Sequence, residues 1–285
     1  MTPLEPLNHD GVRVWAEGAI ARVAMARPEK RNAQDMRMLY ALNAAFDAAM
    51  DDDEVRVVVL SGDGPHFSAG HDLGERPAGP PEGYAPVTSS RGYGAEGAAG
   101  WMALEEEMYL GLHRRWRDLP KPTIAMVQGA CVAGALETAW VCDLIVASDD
   151  AAFSDPVVTM GVNAHEWFVH PWELGARRAK EMLFTSEPVT AQDALRLGMV
   201  NHVVARDELE DFTLALAAKI ARQDPFALKL AKRCVNHALD AQGQAQAIDY
   251  AFAVHHLAHT HHRAVGGQIL SAEWVAAQRR PPALP

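Results

Sequence analysis

Cysteine is scarce in this sequence. Its 285 residues include three cysteines, Cys131, Cys142 and Cys234, whose spacing matches no metal-ligand motif. The first two lie in apolar surroundings, as reduced and buried thiols usually do. The cysteine content therefore argues against a cysteine metal centre and predicts a protein of the reducing cytoplasm.

Positive charge is also in short supply. With 26 lysines and arginines against 37 acidic residues, the formal net charge is -11 and the pI is about 5.6. Sequence-independent binding to nucleic acid or to anionic lipid needs a basic surface, so we expect neither nucleic acid nor a membrane among the partners. Any anionic ligand must instead meet a local basic patch.

Long apolar runs are missing as well. No run approaches the ~18 residues that a membrane-spanning helix requires. The opening segment, MTPLEPLNHDGVRVW, has neither the basic nor the apolar region of a signal peptide. We therefore expect a soluble chain that is not processed.

Familiar catalytic signatures are scarce. The sequence contains no GxSxG nucleophile elbow, and its GxGxxG run at residues 92–97 lies in a glycine-rich segment with no strand pattern directly before it, unlike a dinucleotide fingerprint. A histidine-rich stretch near the C-terminus lacks the HExxH arrangement of metalloproteases, although two of its members are spaced four residues apart. Its histidines are His255, His256, His259, His261 and His262.

We interpret this histidine-rich stretch as part of an amphipathic helix. Helical spacing predicts that Ala251, Val254, Leu257 and Ala258 form its buried face. No functional metal site is expected from the sequence.

The hydrophobic pattern predicts an α/β fold. Residues 12–15 and 20–25 form a predicted hairpin that turns at Glu17 and Gly18. Asp35 is placed to cap a helix over residues 35–51, and the apolar run 55–60 is typical of a strand covered on both faces. The pattern then predicts helices at 101–118 and 134–141 and strands at 123–127 and 143–147.

This repetition of strand, helix and strand indicates parallel pairing. From residue 207 onward, helical patterns fill the sequence. We expect a core over residues 1–206 and a helical region over residues 207–285.

Residues 74–100 are rich in glycine and proline, and no regular element is expected there. A loop of this length in a compact domain is usually a lid, a binding loop or a disordered segment. A tolerated surface insertion is the alternative.

Two glycine motifs carry the strongest chemical signal. FSAGHDL occupies residues 67–73, and CVAGALETAWVCD occupies residues 131–143. Gly134 is expected to open a helix, where its N–H has no internal partner and a ligand oxygen can approach closely. Glu137 lies one turn later on the same face. If the N–H of His71 points to the same place, the two donors can polarise one carbonyl oxygen.

With the run RPEKRNA at residues 27–33, these motifs identify a resemblance to the crotonase superfamily, the enoyl-CoA hydratase/isomerase family. The resemblance extends from about residue 12 to about residue 240. It implies a spiral of repeated ββα units, with a helical C-terminal region that assembles the protein as a homotrimer or a dimer of trimers. It also implies a coenzyme A thioester as ligand, with no other cofactor required.

The resemblance assigns roles to particular positions. The N–H groups of His71 and Gly134 would form the oxyanion hole, and Glu137 would be an acid or base. The coenzyme would lie along the segments 30–33 and 69–73, where Lys30 and Arg31 supply positive charge. The implied binding residues are Lys30, Arg31, Ala33, Ala69, His71, Asp72 and Leu73.

One position departs from the hydratase pattern. The motif FSDPVVTMG places Val157 where hydratases of this family carry a second glutamate. Valine cannot transfer a proton, and loss of a general acid or base commonly costs ~10² to 10⁴ in rate. Asp155, His165 and Glu166 are nearby candidates to replace it, and Asp155 and His165 are our predicted catalytic residues alongside Glu137, His71 and Gly134.

Hydration of a 2-enoyl-CoA is the function that the sequence favours. His71 is unusual among hydratases, and some decarboxylases of the superfamily carry histidine there. The alternatives are therefore a decarboxylase, another CoA-thioester lyase or hydrolase, or an acyl-CoA binding protein without catalytic activity.

Overall fold

The computed structural model describes residues 4–74 and 79–265 of the chain. Its strands are β1 (Leu7–His9), β2 (Val12–Glu17), β3 (Ile20–Met25), β4 (Val57–Gly62), β5 (Thr123–Val127), β6 (Ala130–Val132), β7 (Leu144–Ser148), β8 (Ala152–Ser154), β9 (Val189–Thr190) and β10 (His202–Val204). Its α-helices are α1 (Met36–Asp51), α2 (Ala98–Glu105), α3 (Leu112–Arg117), α4 (Gly134–Trp140), α5 (His170–Leu174), α6 (Ala176–Thr185), α7 (Ala191–Leu197), α8 (Leu209–Ala221), α9 (Pro225–Ala241) and α10 (Gln244–Ala264).

Seven strands form the large sheet, in the order β1-β2-β3-β4-β5-β7-β10. The first two pairings are antiparallel, and every later pairing from β3 to β10 is parallel. A second sheet joins β6, β8 and β9. Because β5 and β7 lie in the large sheet while β6 and β8 pair in the small one, the chain winds through both sheets in successive turns. The predicted α/β fold of repeated ββα units is confirmed.

The N-terminal predictions hold with small shifts. β2 and β3 form the expected hairpin, but Glu17 pairs with Ile20, so the turn lies at Gly18 and Ala19. Gly18 has φ +59°, a conformation that glycine adopts without steric cost. The carboxylate of Asp35 accepts from Met38 N at 2.9 Å and caps α1 as predicted.

Strand β4 begins at Val57, two residues later than predicted. Val55 N donates to Asp52 O and Arg56 N donates to Ala19 O, so both residues belong to the connection from α1. The helix predicted over residues 101–118 is present from Ala98, but a π-helical segment, Glu106–Gly111, separates α2 from α3. Between residues 79 and 97 the structure has no helix or strand, as expected for the glycine-rich segment.

The core lies on both faces of the large sheet. On one face, α1 packs against residues such as Val23 and Leu60, and Phe46 and Trp116 stack edge to face there. On the other face, Leu209 and Ala217 of α8 cover Val57 and Val59. α8 thus belongs to the layer that buries the sheet, and the predicted division at residue 206 stays a prediction.

Helices alone follow β10 in the described part of the chain, as the sequence predicts. α10 corrects one expectation: His255 and His256 are buried, whereas Leu257 is 68 % exposed. No helix among the described residues is long and apolar enough to cross a membrane.

Candidate active site

The two predicted coenzyme-binding segments lie side by side. Gln34 N donates to Gly70 O and Asp72 N donates to Gln34 O, both at 2.8 Å, while Ala69 N donates to Arg31 O at 2.9 Å. Segments 30–34 and 69–73, which the sequence separates by more than thirty residues, therefore form one continuous surface.

Charge on this surface is mixed. Lys30 is 55 % exposed, and its Nζ lies 3.5 Å from Asp72 Oδ2. Asp72 also contacts Arg27, which forms an ion pair with Asp35. Arg31 is exposed and adopts φ +52°, which bends the chain toward segment 69–73. Lys30 and Arg31 are the local basic groups that an acidic protein needs to receive a phosphorylated ligand.

The two glycine turns approach each other closely. Ser68 pairs with Cys131, so FSAGHDL runs beside β6 into the turn before α4. At Gly70, with φ +85°, an added Cβ would lie 2.5 Å from Val132 O and 3.2 Å from Gly134 N. A side chain at position 70 would push the two turns apart.

The main chain orients the two predicted donors. The flanking groups of His71, Gly70 O and Asp72 N, bond to Gln34, so the N–H of His71 points away from Gln34. Gly134 is the first residue of α4, and its N–H has no acceptor within the helix. Both N–H groups are therefore without a main-chain acceptor in these elements, and their convergence on one oxygen stays a prediction.

The imidazole of His71 covers Gly134. A Cβ at position 134 would lie 2.2 Å from His71 Nε2, so any larger residue would have to displace this ring. Tyr109 stacks on the other side, with the ring centroids 3.7 Å apart. Tyr109 belongs to the π-helical segment, and such segments are frequent at functional sites.

Glu137 is completely buried, and its two oxygens differ. Oε1 accepts from Glu166 N at 2.7 Å and from Trp167 N at 3.2 Å. Oε2 has no hydrogen-bond partner among residues 4–74 and 79–265, and it faces His71 Nε2 at 3.7 Å and His113 Nδ1 at 3.5 Å. Oε1 therefore anchors the side chain, and Oε2 is available for proton transfer.

Electrostatics keep Glu137 ionised. Burial by itself raises its pKa, but the imidazoles of His165, His71 and His113 around the carboxyl group outweigh burial and hold the pKa well below its usual range. His113 is different: burial lowers its pKa to about 4, and it stays a neutral hydrogen-bonding group. Its Nδ1 donates to Tyr109 O, and its Nε2 lies 3.2 Å from Thr138 Oγ1.

The pKa of Glu166 is shifted in the opposite direction. Its side chain is buried, and one ligand-type atom each of Glu166, Glu137 and His71 lie within 4.8 Å of one another. Burial, followed by the negative charges of Glu137 and Glu105, raises the pKa of Glu166 well above its usual range. Two neighbouring carboxyl groups thus have pKa values shifted in opposite directions, as in sites where one carboxyl group acts as acid and the other as base.

Asp155 and His165, which the sequence predicted as catalytic, form a support behind Glu137. His165 Nδ1 lies 3.2 Å from Glu137 Oε1, and burial lowers the pKa of His165 less than Asp155 and Glu137 raise it. Asp155 accepts from His170 Nε2 at 2.9 Å and from His165 N at 3.2 Å. His165 contacts the anchored oxygen of Glu137, and Asp155 lies behind His165 at 4.0 Å, so their catalytic assignment stays a prediction and their geometry indicates positioning.

Position 157 cannot take part in proton transfer. Val157 is buried and follows Pro156, which opens the 3-10 helix Pro156–Met160. Asp155 Oδ1 accepts from Val157 N at 3.4 Å and caps this helix. Reasoning from the sequence missed His113 and Tyr109, because neither belongs to a motif and only the fold brings them to Glu137.

Comparisons with known proteins agree with this geometry. The family model described as enoyl-CoA hydratase/isomerase matches residues 16–270. EchA13 of Mycobacterium tuberculosis is 42 % identical, and the match covers 94 % of this chain and 88 % of the relative. The chain belongs to the enoyl-CoA hydratase/isomerase family.

Solved structures of family members share the fold. A probable enoyl-CoA hydratase from Mycobacterium smegmatis matches with TM-score 0.81 and 44 % identity, covering 91 % of this chain and 99 % of that one. An enoyl-CoA hydratase/isomerase from Xanthobacter autotrophicus Py2 matches with TM-score 0.80 and 33 % identity, covering 95 % and 94 %. The crotonase fold implied by the sequence motifs is confirmed.

Proposed function

We propose that the protein adds water to the double bond of a 2-enoyl-CoA thioester, with Glu137 as base and Glu166 as acid. The observation that carries this proposal is the pairing of Glu137 Oε2, which has no hydrogen-bond partner among the described residues, with the buried carboxyl group of Glu166 beside it, whose pKa is raised. Glu166 supplies the group that Val157 cannot.

The proposed reaction begins at the oxyanion hole. The thioester oxygen accepts from the N–H groups of His71 and Gly134, which stabilise the negative charge that develops during addition. Glu137 Oε2 takes a proton from water, and the water oxygen forms its bond to the β carbon. The electrons of the double bond move onto the thioester oxygen as an enolate.

Glu166 completes the reaction. The enolate collapses, and its α carbon takes the proton of Glu166. Glu137 is then protonated and Glu166 ionised, so one proton must pass from the first to the second before the next cycle. Their ligand-type atoms lie within 4.8 Å, a distance that one water molecule can bridge.

Other features complete the proposal. The substrate brings its own coenzyme A, which would lie along segments 30–33 and 69–73, so no separate cofactor is needed. A homotrimer or dimer of trimers in the cytoplasm remains our expectation from the sequence. The relatives described as enoyl-CoA hydratases support hydration over the decarboxylase, hydrolase and binding alternatives.

A direct assay tests the proposed reaction. Purified protein should remove the conjugated absorbance of crotonyl-CoA or a longer enoyl-CoA. Glu137→Gln should lower this rate by ~10² to 10⁴ while still binding the thioester, whereas Glu54→Gln, which alters an exposed carboxylate, should leave the rate unchanged.

Two outcomes would replace the proposal. Tight binding of enoyl-CoA by the wild type without turnover would identify an acyl-CoA binding protein. Release of carbon dioxide from a malonyl-type thioester, dependent on His71, would identify a decarboxylase.

A further inference from the structure

A second cluster of titratable side chains lies behind Glu166, between α2 and α10. It consists of Glu105, His255, His256 and His259. The first three are at most 6 % exposed, and the side chain of His259 is 14 % exposed. The proposed hydration uses none of them.

Three imidazole nitrogens converge on one carboxylate. The Nε2 atoms of His255, His256 and His259 lie 3.6, 3.3 and 3.9 Å from an oxygen of Glu105. His255 Nε2 also lies 2.7 Å from His259 Nε2. The four-residue spacing on α10 places His255 and His259 on one helical face, and Glu105 completes the set from the last residue of α2.

The hydrogen bond on the far side of His255 fixes its tautomer. His255 Nδ1 lies 2.9 Å from Ala164 O, and a carbonyl can only accept, so Nδ1 carries the proton. The Nε2 lone pair therefore points into the cluster. Metal-ligating histidines usually show this arrangement, in which the other ring nitrogen donates to a carbonyl or carboxylate.

Unpaired acceptors remain inside the cluster. Glu105 Oε2 and His256 Nε2 are buried without a hydrogen-bond partner among the described residues. Without a metal ion, one proton shared by His255 Nε2 and His259 Nε2 pairs these two nitrogens, and Glu105 Oε2 still has no hydrogen-bond partner among the described residues.

We propose that Glu105, His255 and His259 bind one divalent transition-metal ion such as Zn²⁺, which joins α2 to α10. One ligand atom from each lies within 4.8 Å of the others, and two imidazoles with a carboxylate suit zinc at bond lengths of about 2.0 to 2.2 Å. The ion replaces the proton shared by the two histidines, which move slightly apart to make room. This inference does not depend on the proposed function.

The site has a structural role. α2 follows directly after the glycine-rich segment, and Glu166 Oε1 lies 3.6 Å from His255 Nε2. A metal ion would therefore link α2, and with it the end of the glycine-rich segment, to α10. It would also hold in place His255, which contacts Glu166 from behind. The ion would not contact the substrate, and Glu137 and Glu166 would still perform the proposed acid–base chemistry.

Metal titration of the full chain tests the proposal. Protein treated with EDTA and then dialysed should bind one equivalent of Zn²⁺ or Co²⁺, and Co²⁺ should give the visible absorption bands of a low-coordinate site. Saturating metal should raise Tm by roughly 5 °C. His259→Ala and Glu105→Gln should each weaken binding by at least about 100-fold, more than loss of an outer hydrogen-bond partner usually costs.

Matched controls separate this site from adventitious surface binding. His261→Ala and Glu106→Gln change exposed neighbours of the same two kinds and should leave affinity unchanged. If a designed variant fails to fold, the wild-type titration still decides the question. Absence of one-equivalent binding by the wild type, or equal weakening by His261→Ala and His259→Ala, would overturn the proposal.

Discussion

Replacing Glu166 with glutamine is the sharpest test of how this chain works without the second glutamate at position 157. The change keeps the size of the side chain and removes the proton. Glu137 should keep its place, because Oε1 is held by the main-chain N–H of residue 166, at 2.7 Å, and not by the Glu166 carboxyl group. The variant therefore isolates proton donation to the α carbon.

The expected loss follows from the role of a general acid. Removal of such a group commonly costs ~10² to 10⁴ in rate, or about 3 to 5 kcal/mol of transition-state stabilisation. The loss should appear in kcat with little change in KM, since the oxyanion hole and the coenzyme surface are untouched. Incorporation of deuterium from solvent at the α carbon should slow in parallel.

The pH profile gives an independent readout. Burial and neighbouring carboxylates raise the pKa of Glu166, so the acid is present below this raised pKa and is lost as pH rises through it. Wild-type kcat should therefore fall on the alkaline side, and Glu166→Gln should lack that limb. A second variant, Val157→Glu in the Glu166→Gln background, should restore part of the rate.

Retention of wild-type kcat within a factor of about three by Glu166→Gln would refute this reasoning. The acid would then have to come from another group, and His71, whose Nε2 lies 3.7 Å from Glu137 Oε2, is the candidate that borders the proposed oxyanion hole. Failure of Val157→Glu to restore any of the rate lost in Glu166→Gln would likewise contradict it.

Three further predictions concern the surrounding structure. Gly134→Ala should abolish turnover and displace the His71 ring, because a Cβ at position 134 would lie 2.2 Å from His71 Nε2. Kinetics and a crystal structure of the variant would check this, and an unchanged kcat would contradict it. Asp35→Ala should lower the free energy of unfolding by about 1 kcal/mol through loss of the α1 cap, measured by urea denaturation, with full activity retained. Burial raises the pKa of Glu173 to about 7. This shift stabilises the folded chain fully below about pH 4.3, the pKa of a glutamate in the unfolded chain, and the contribution is lost as pH rises through 7. The free energy of unfolding of Glu173→Gln should not show this loss at high pH. Equal free energies of unfolding for variant and wild type at pH 8 would refute the raised pKa of Glu173.

The sequence predicted α10 as a helix but not the face that it buries. Helical spacing favoured Leu257, which the structure exposes, while His255 and His256 turn inward. Hydropathy assumes an apolar partner, whereas this part of α10 meets the polar end of α2 at Glu105. A pattern within one helix carries no information about the surface that it packs against.

The same limit explains why the sequence could not identify Glu166 as the proposed second carboxyl group. Asp155, His165 and Glu166 were all candidates by their distance along the chain from Val157. The structure separates them, because the turn after the 3-10 helix directs His165 to the anchored oxygen of Glu137 and places the Glu166 carboxyl group beside Glu137 and His71. Residue spacing alone does not determine the direction of a side chain in an irregular loop.

By itself the sequence determined the fold class, the family, the two glycine turns and the place of Glu137, because glycine conformation and helical spacing are local properties of the chain. Tertiary structure alone decided which oxygen of Glu137 lacks a hydrogen-bond partner, that the pKa of the neighbouring Glu166 is raised, and which distant histidines contact Glu105. These depend on burial and on contacts between segments far apart in the chain, and those contacts exist only after the chain has folded.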